Sequence, residues 1–147
     1  MTFRWLLFLF ALTSMLQASW AQEFRSGEFS LVVNRYEGIE YSCHIKKDLC
    51  WYEFRGKKIA EKTLTPAEQK RLTDSLNNEK FWTLPASMGN SRMDSSSTVK
   101  IWRSGKLQQV RSTDSPGEEP EEAFKRLKRI LDVIESIAPL PRDEIQS

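Results

Sequence analysis

Chemistry-bearing residues are scarce in this chain. Its 147 residues include one histidine, His44, and two cysteines, Cys43 and Cys50. A structural zinc site normally takes four nitrogen or sulfur ligands, so the sequence supplies no metal set, and no cofactor motif is present. The cysteines are separated by six residues rather than the two of a redox C-x-x-C, which favours a structural bridge over a catalytic pair. No Gly-x-Ser-x-Gly turn lifts a serine into position as a nucleophile, and Ser95, Ser96 and Ser97 fall in a polar loop. There is no N-x-Ser/Thr acceptor for a glycan. The net charge of +2 is too small to argue for nucleic acid or an anionic membrane as partner.

Long apolar runs are equally rare. The one that stands out is Trp5 to Leu12, preceded by Arg4 and followed by a more polar stretch ending Ala18-Ser19-Trp20-Ala21. A charged start, a short apolar segment and small residues at the third and first places before a cut form the secretory signal pattern. Even extended to Leu16, the segment is short of the roughly 20 apolar residues that cross a bilayer as a helix. Residues Met1 to Ala21 therefore read as a signal peptide cut between Ala21 and Gln22. Neither a lipid-accepting cysteine nor a twin-arginine pair is present, which points to the general export route with the chain unfolded in transit. Cleavage leaves 126 residues, one domain by size, with net charge +1 and no further span. In an oxidising compartment Cys43 and Cys50 become a bridge.

From Phe29 to Leu64 the residues alternate between glycine-marked turns, the pattern of strands. A turn at Lys46-Lys47 would set Cys43 opposite Cys50, Tyr41 opposite Tyr52 and Ile39 opposite Phe54. A disulfide closing so short a loop is worth roughly 2 to 3 kcal/mol in the chain-entropy picture. A turn at Glu37-Gly38 would set Arg35 opposite Glu40, with Val32 beside Cys43 and Asn34 beside Tyr41. Gly56-Lys57 suits a type II′ turn that brings Phe54 to Ile59. On the polar face of this four-stranded meander the same register sets Glu40 across from Glu53, and Trp51 near His44 and beside Ser42.

Thr65-Pro66-Ala67-Glu68 carries a capping residue, a proline at the first helical position and a glutamate three residues after the cap, so a helix starts there. Leu72 and Leu76 continue its apolar face until Asn77-Asn78 weakens it, and Phe81-Trp82-Thr83-Leu84-Pro85 reads as an apolar plug with a proline stop. Residues 86–97 read as a loop. Thr98 to Arg103 and Lys106 to Ser112 form a second hairpin through Ser104-Gly105, with Trp102 facing Leu107 and Val99 facing Val110. After a loop at 113–119, a helix from about Pro120 to Ile137 presents Phe124, Leu127, Leu131, Ile134 and Ala138, widened by Ile130 and Ile137. Residues 139–147 read as a flexible tail. Strands followed by segregated helices make an α+β domain over 22–138.

The run from Leu64 through Thr65-Pro66-Ala67-Glu68 to Phe81-Trp82-Thr83-Leu84-Pro85 resembles a motif of small exported bacterial domains of unknown function. In these a strand pair leads to an L-T-x-E helix start, an F-W-x-L-P exit, a hairpin and a terminal helix. The likeness covers roughly Glu40 to Ile137 and implies fold and bacterial export. Its residues are caps and core, so it implies no activity. Here Gln69 stands where the motif has a second glutamate, and two residues rather than one separate Thr65 from Glu68.

Three readings of function follow. The first is a non-enzymatic periplasmic or secreted binding domain that meets another envelope molecule, most plausibly a protein, on the face bearing Trp51, His44 and Glu40. The second is a small hydrolase using His44 with a nearby carboxylate; the third is a structural envelope component that self-associates. The basic run Lys125-Arg126-Leu127-Lys128-Arg129 reads as a solvated helix face, because Glu121, Glu122 and Asp132 lie four residues from Lys125, Arg126 and Lys128.

Overall fold

The computed structural model describes residues 23–89, 95–113, 117 and 121–145. Among the described residues seven strands form one sheet: β1 Phe29–Glu37, β2 Glu40–Lys46, β3 Leu49–Phe54, β4 Lys57–Thr63, β5 Ser87–Met88, β6 Ser95–Arg103 and β7 Lys106–Thr113. Their order is β4-β3-β2-β1-β6-β7-β5, antiparallel except where β5 runs parallel to β7. The helices α1 (Pro66–Asn78) and α2 (Glu121–Ile137) and a helical turn α3 (Arg142–Ile145) complete an α+β fold. The second hairpin does not stand apart: β6 pairs along β1, so the meander and the hairpin share one mixed sheet with β1 at its centre.

The face of β1 is where the sequence expectation fails. Glu37, Gly38 and Ile39 intervene between the paired residues Tyr36 and Glu40, with Gly38 at φ +75°, one residue more than a two-residue turn would take. Strand side chains alternate with period two, so that one residue turns the whole strand over. Val33 stands beside Cys43, and Arg35, not Asn34, beside Tyr41; Arg35 is not opposite Glu40. The reason is apolar content. This choice places Phe29, Leu31 and Val33 on the core face, where the alternative offers Ser30, Val32 and Asn34.

The β2–β3 turn is Lys47-Asp48, with Lys47 at φ +57°, and pairs Tyr41 with Phe54, Cys43 with Tyr52 and Ile45 with Cys50. The two-residue displacement changes partners but keeps every side chain on its expected face, and it uses the better turn former, aspartate, in the turn. Cys43 is thus diagonal to Cys50, and Glu53 faces Ser42 instead of Glu40. After β3 the turn is Arg55-Gly56, at φ +50° and +76°. Left-handed conformation at both central residues is the type I′ geometry that matches strand twist, so the expected Gly56-Lys57 turn does not form. Phe54 pairs with Lys57, and a register shift at Tyr52/Glu53 leaves Ile59 unpaired. The Ser104-Gly105 turn has the same left-handed pair, and there Trp102 faces Leu107 and Val99 faces Val110 as the alternation requires. Strand β6 begins at Ser95 rather than Thr98, and part of the expected 86–97 loop is β5; positions 90–94 of it lie outside the described residues, as does Pro120.

Helix α1 starts on the capping box: Thr65 Oγ1 accepts from the Glu68 amide at 3.1 Å, and the Glu68 carboxylate accepts from the Thr65 amide at 2.9 Å. Leu72 and Leu76 face the core, and Phe81, in a 3-10 turn after α1, is fully buried. From α2, Leu127, Ile130, Ile134 and Ile137 close the same core over Leu31, Val33, Val99, Ile101 and Val110. Burying side chains of this size contributes roughly 1.5–3 kcal/mol each before the entropy of ordering them is subtracted.

Two polar clasps lock the helices in place. Asn77 ends no helix early: its side chain accepts from the Phe24 amide at 2.7 Å and donates to the Phe24 carbonyl at 2.9 Å. Phe24 is thereby seated against Phe29, Phe81 and Trp82, under the Arg103 guanidinium. The basic run of α2 is only partly the solvated face expected. Lys125 does pair with Glu121 at 3.0 Å. Arg126 does not pair with Glu122; it donates to the carbonyls of Glu79 and Lys80 and to Thr83 Oγ1, closing the exposed carbonyl end of α1. Arg129 grips the Glu79 carboxylate through Nε and Nη2 at 2.8 and 2.9 Å, and also reaches Glu122.

Candidate functional site

All the helical packing described falls on one face of the sheet. The opposite face carries cross-strand rows that follow from the register. One runs Glu61, Trp51, His44, Val32, Lys100, Gln109 from β4 to β7, and the next runs Thr63, Leu49, Lys46, Ser30, Trp102, Leu107. Among the described residues, most of the exposed large apolar side chains gather here: Trp102 and Leu107 are 39% and 52% exposed, Leu49 is exposed in the same row, and Tyr36 lies on the same side at the end of β1, while Ile39 lies apart in the β1–β2 turn.

His44 and Trp51, directly opposed on β2 and β3, stack with ring centroids 4.9 Å apart and planes 11° from parallel. Directly opposite residues in an antiparallel pair bring their side chains close enough for such contact. His44 Nε2 also meets Ser42 Oγ at 2.9 Å and contacts the Glu53 carboxylate. The imidazole is therefore held on one edge by two polar neighbours and on its face by the indole. Sequence reasoning places Trp51 and His44 together, and the structure does so. Glu40 stands on the same face at the start of β2, opposite Tyr36, and the carboxylate that reaches His44 is Glu53. Leu49 follows from alternation with Trp51 on β3, whereas Trp102, Leu107 and Tyr36 become legible as members of this face only once the register of β1 is known.

Ser42, His44 and Glu53 are the residue types of a hydrolytic triad, but not its geometry. A serine relay needs the hydroxyl on one ring nitrogen and the carboxylate on the other. Here both meet Nε2, so the ring has no path from serine to carboxylate.

Beneath the sheet, the Cys43 and Cys50 sulfurs lie 3.8 Å apart as thiols in hydrogen-bond contact. That contact, then burial, pushes the Cys43 thiol up, and the same contact pulls Cys50 down. Among the described residues no hydrogen-bond partner meets the buried Tyr52 hydroxyl beside them, and burial, then the charge of the neighbouring Cys50, raises its pKa. Among the described residues no group of three histidine, cysteine or acidic side chains is arranged to hold a metal ion, and no helix is long and apolar enough to cross a membrane.

Comparison of the chain with known protein families and with curated proteins finds no match.

Proposed function

We propose that this chain is an exported, non-catalytic binding domain of the cell envelope that holds a protein partner on the open face of its sheet. The observation that carries the reading is the His44–Trp51 stack set among exposed Trp102, Leu107 and Leu49 on the face away from the helices. Aromatic side chains supply much of the binding energy in protein interfaces, because they bury large area at small entropic cost. Lys46, Lys100 and Arg111 beside Glu40, Glu53 and Glu61 give the face charges of both signs, which suits a protein surface better than a polyanion. The export signal at Met1 to Ala21, and the resemblance to small exported bacterial domains, support the envelope as its place of work.

In that compartment Cys43 and Cys50 form a disulfide. Their sulfurs, 3.8 Å apart as thiols, are diagonal neighbours on adjacent strands. A disulfide bond is about 2 Å long and usually joins residues whose Cα atoms lie within about 7 Å, and diagonal neighbours stand at about 7–8 Å, so bridging takes movement of the strands as well as of the side chains. Intact mass before and after reduction tests this: a bridged mature chain takes up two thiol labels only after reduction.

The binding reading is tested by crosslinking the chain from Gln22 in envelope extract and identifying what is captured. W51A and W102A are expected to lose the captured protein while keeping the wild-type circular dichroism spectrum. Capture that survives both substitutions overturns the assignment of this face. Stable self-association of the purified protein favours the structural alternative. Glu53 supplies the carboxylate that a hydrolase at His44 calls for, but its contact with the same nitrogen as Ser42 favours binding over hydrolysis.

A further inference from the structure

A different site lies on the helix side of the sheet, where α2 ends. The core-facing rows of β1, β2 and β3 are apolar up to Val33, Cys43 and Tyr52, and the next row is Arg35, Tyr41, Phe54. An arginine on the core face of the central strand needs a reason, since burying a guanidinium without partners is costly. Its side chain is 24% exposed, and among the described residues its ion pair is a single 3.4 Å contact from Nη2 to one oxygen of Glu135 on α2. A guanidinium carries five donors, so one long contact leaves most of its capacity unused.

This row floors a cavity of about 280 Å³ whose apolar walls include Ile39, Leu140 and Ile145. Its charges are mixed: Arg35 and Arg142 are positive, Glu37 and Glu135 negative. The Tyr41 hydroxyl, pushed up first by burial and then by the Glu37 carboxylate, stays a donor at neutral pH.

We propose that this cleft binds a small zwitterion with an apolar body, of the class of a free hydrophobic amino acid. A lone carboxylate would meet Arg35 and Arg142 but be repelled by Glu37 and Glu135, and a lone amine would meet the reverse. A molecule carrying both charges satisfies both sets: its carboxylate takes the free donors of Arg35, its ammonium lies towards the two glutamates, and its side chain rests on Phe54, Ile39 and Leu140. Ligand pockets span roughly 300–1,000 Å³, so a cavity just below that range suits a molecule no larger than an amino acid.

The test is a ¹⁵N-resolved NMR titration of the chain from Gln22 with leucine and with phenylalanine. Parallel titrations use isovalerate and isopentylamine, each carrying the apolar body with one charge. Saturable shifts at Ile39, Tyr41 and Phe54 are expected with an amino acid, with each half-ligand at least about tenfold weaker, a difference of about 1.4 kcal/mol. R35Q and E135Q are each expected to weaken leucine binding about tenfold or more. R142Q, in α3 at the rim, provides a variant outside the sheet core and is expected to weaken binding less. Absence of saturable shifts at about 10 mM amino acid, which is weaker than millimolar affinity, overturns the proposal. So does equal binding of either half-ligand, or unchanged binding in folded R35Q and E135Q. The outcome is independent of partner capture on the opposite face.

Discussion

Replacing Arg126 with alanine removes the guanidinium that closes the end of α1. That side chain donates from Nε and Nη2 to the Glu79 carbonyl, from Nη2 to the Lys80 carbonyl at 3.0 Å, and to Thr83 Oγ1 at 2.7 Å. Glu79 is the residue that caps the C-terminus of α1, where the helix dipole makes a cation favourable, and Lys80 lies in the turn just beyond, its carbonyl also accepting from Thr83. A hydrogen bond from a charged donor contributes about 1.5–3 kcal/mol. The carbonyls are only partly shielded, so water replaces part of what is lost, and the expected destabilisation is about 2 kcal/mol rather than the sum over all contacts. With a urea dependence of about 2 kcal/mol/M, the midpoint followed by tryptophan fluorescence falls by about 1 M. R126K keeps the charge without the fork and is expected to recover about half of the loss. K125A provides the comparison, because Lys125 is exposed and pairs with Glu121 one helical turn away; its effect stays within about 0.5 kcal/mol. An R126A midpoint indistinguishable from that of K125A would refute the argument that this arginine joins the two helices.

Phe24→Ala removes a buried ring in contact with Phe29, Phe81 and Trp82, and in urea unfolding it is expected to cost about 3–5 kcal/mol. N77A leaves the Phe24 amide and carbonyl without their clasp. Its expected cost is about 2 kcal/mol, and a loss as large as that for F24A would contradict this division. Ser104 stands in left-handed conformation, at φ +52°, before Gly105. Ser104→Asn places there a residue that tolerates this conformation better, and it raises the urea stability by about 0.5 kcal/mol; no gain would argue against strain at this turn. The Thr65 amide, by hydrogen bonding to the Glu68 carboxylate, lowers that carboxyl's pKa in the folded state. The associated stability is present above the unfolded pKa and is lost as pH falls through the lower folded one. E68Q should therefore flatten the acid limb of the stability curve, and an unchanged limb would count against it.

What the sequence makes legible is what depends on neighbours along the chain. Thr65-Pro66-Ala67-Glu68 starts a helix by contacts that span three residues, and the alternation around Ser104-Gly105 fixes a hairpin whose partners are close in sequence. Face assignments of β2 and β3 survive a two-residue displacement because two is the strand period, which is why Trp51 and His44 are expected together. The face of β1 is not legible from the turn alone. Counting one residue too few at Glu37-Gly38 turns Arg35 outward, and with it hides the cleft floored by Arg35, Tyr41 and Phe54. Arg126 escapes a sequence reading for a different reason: its partners are the carbonyls of Glu79 and Lys80, and no spacing within α2 reveals where another helix ends.

The seat of Phe24 also puts events in time. For a chain cut after Ala21, only Gln22 and Glu23 separate the severed bond from a residue whose amide and carbonyl are both held by Asn77 and whose ring lies under Arg103. A processing protease needs several residues on each side of its cut in extended form. On that proposed cut, the leader is removed while α1 and Phe24 are still apart, and the clasp by Asn77 forms only afterwards.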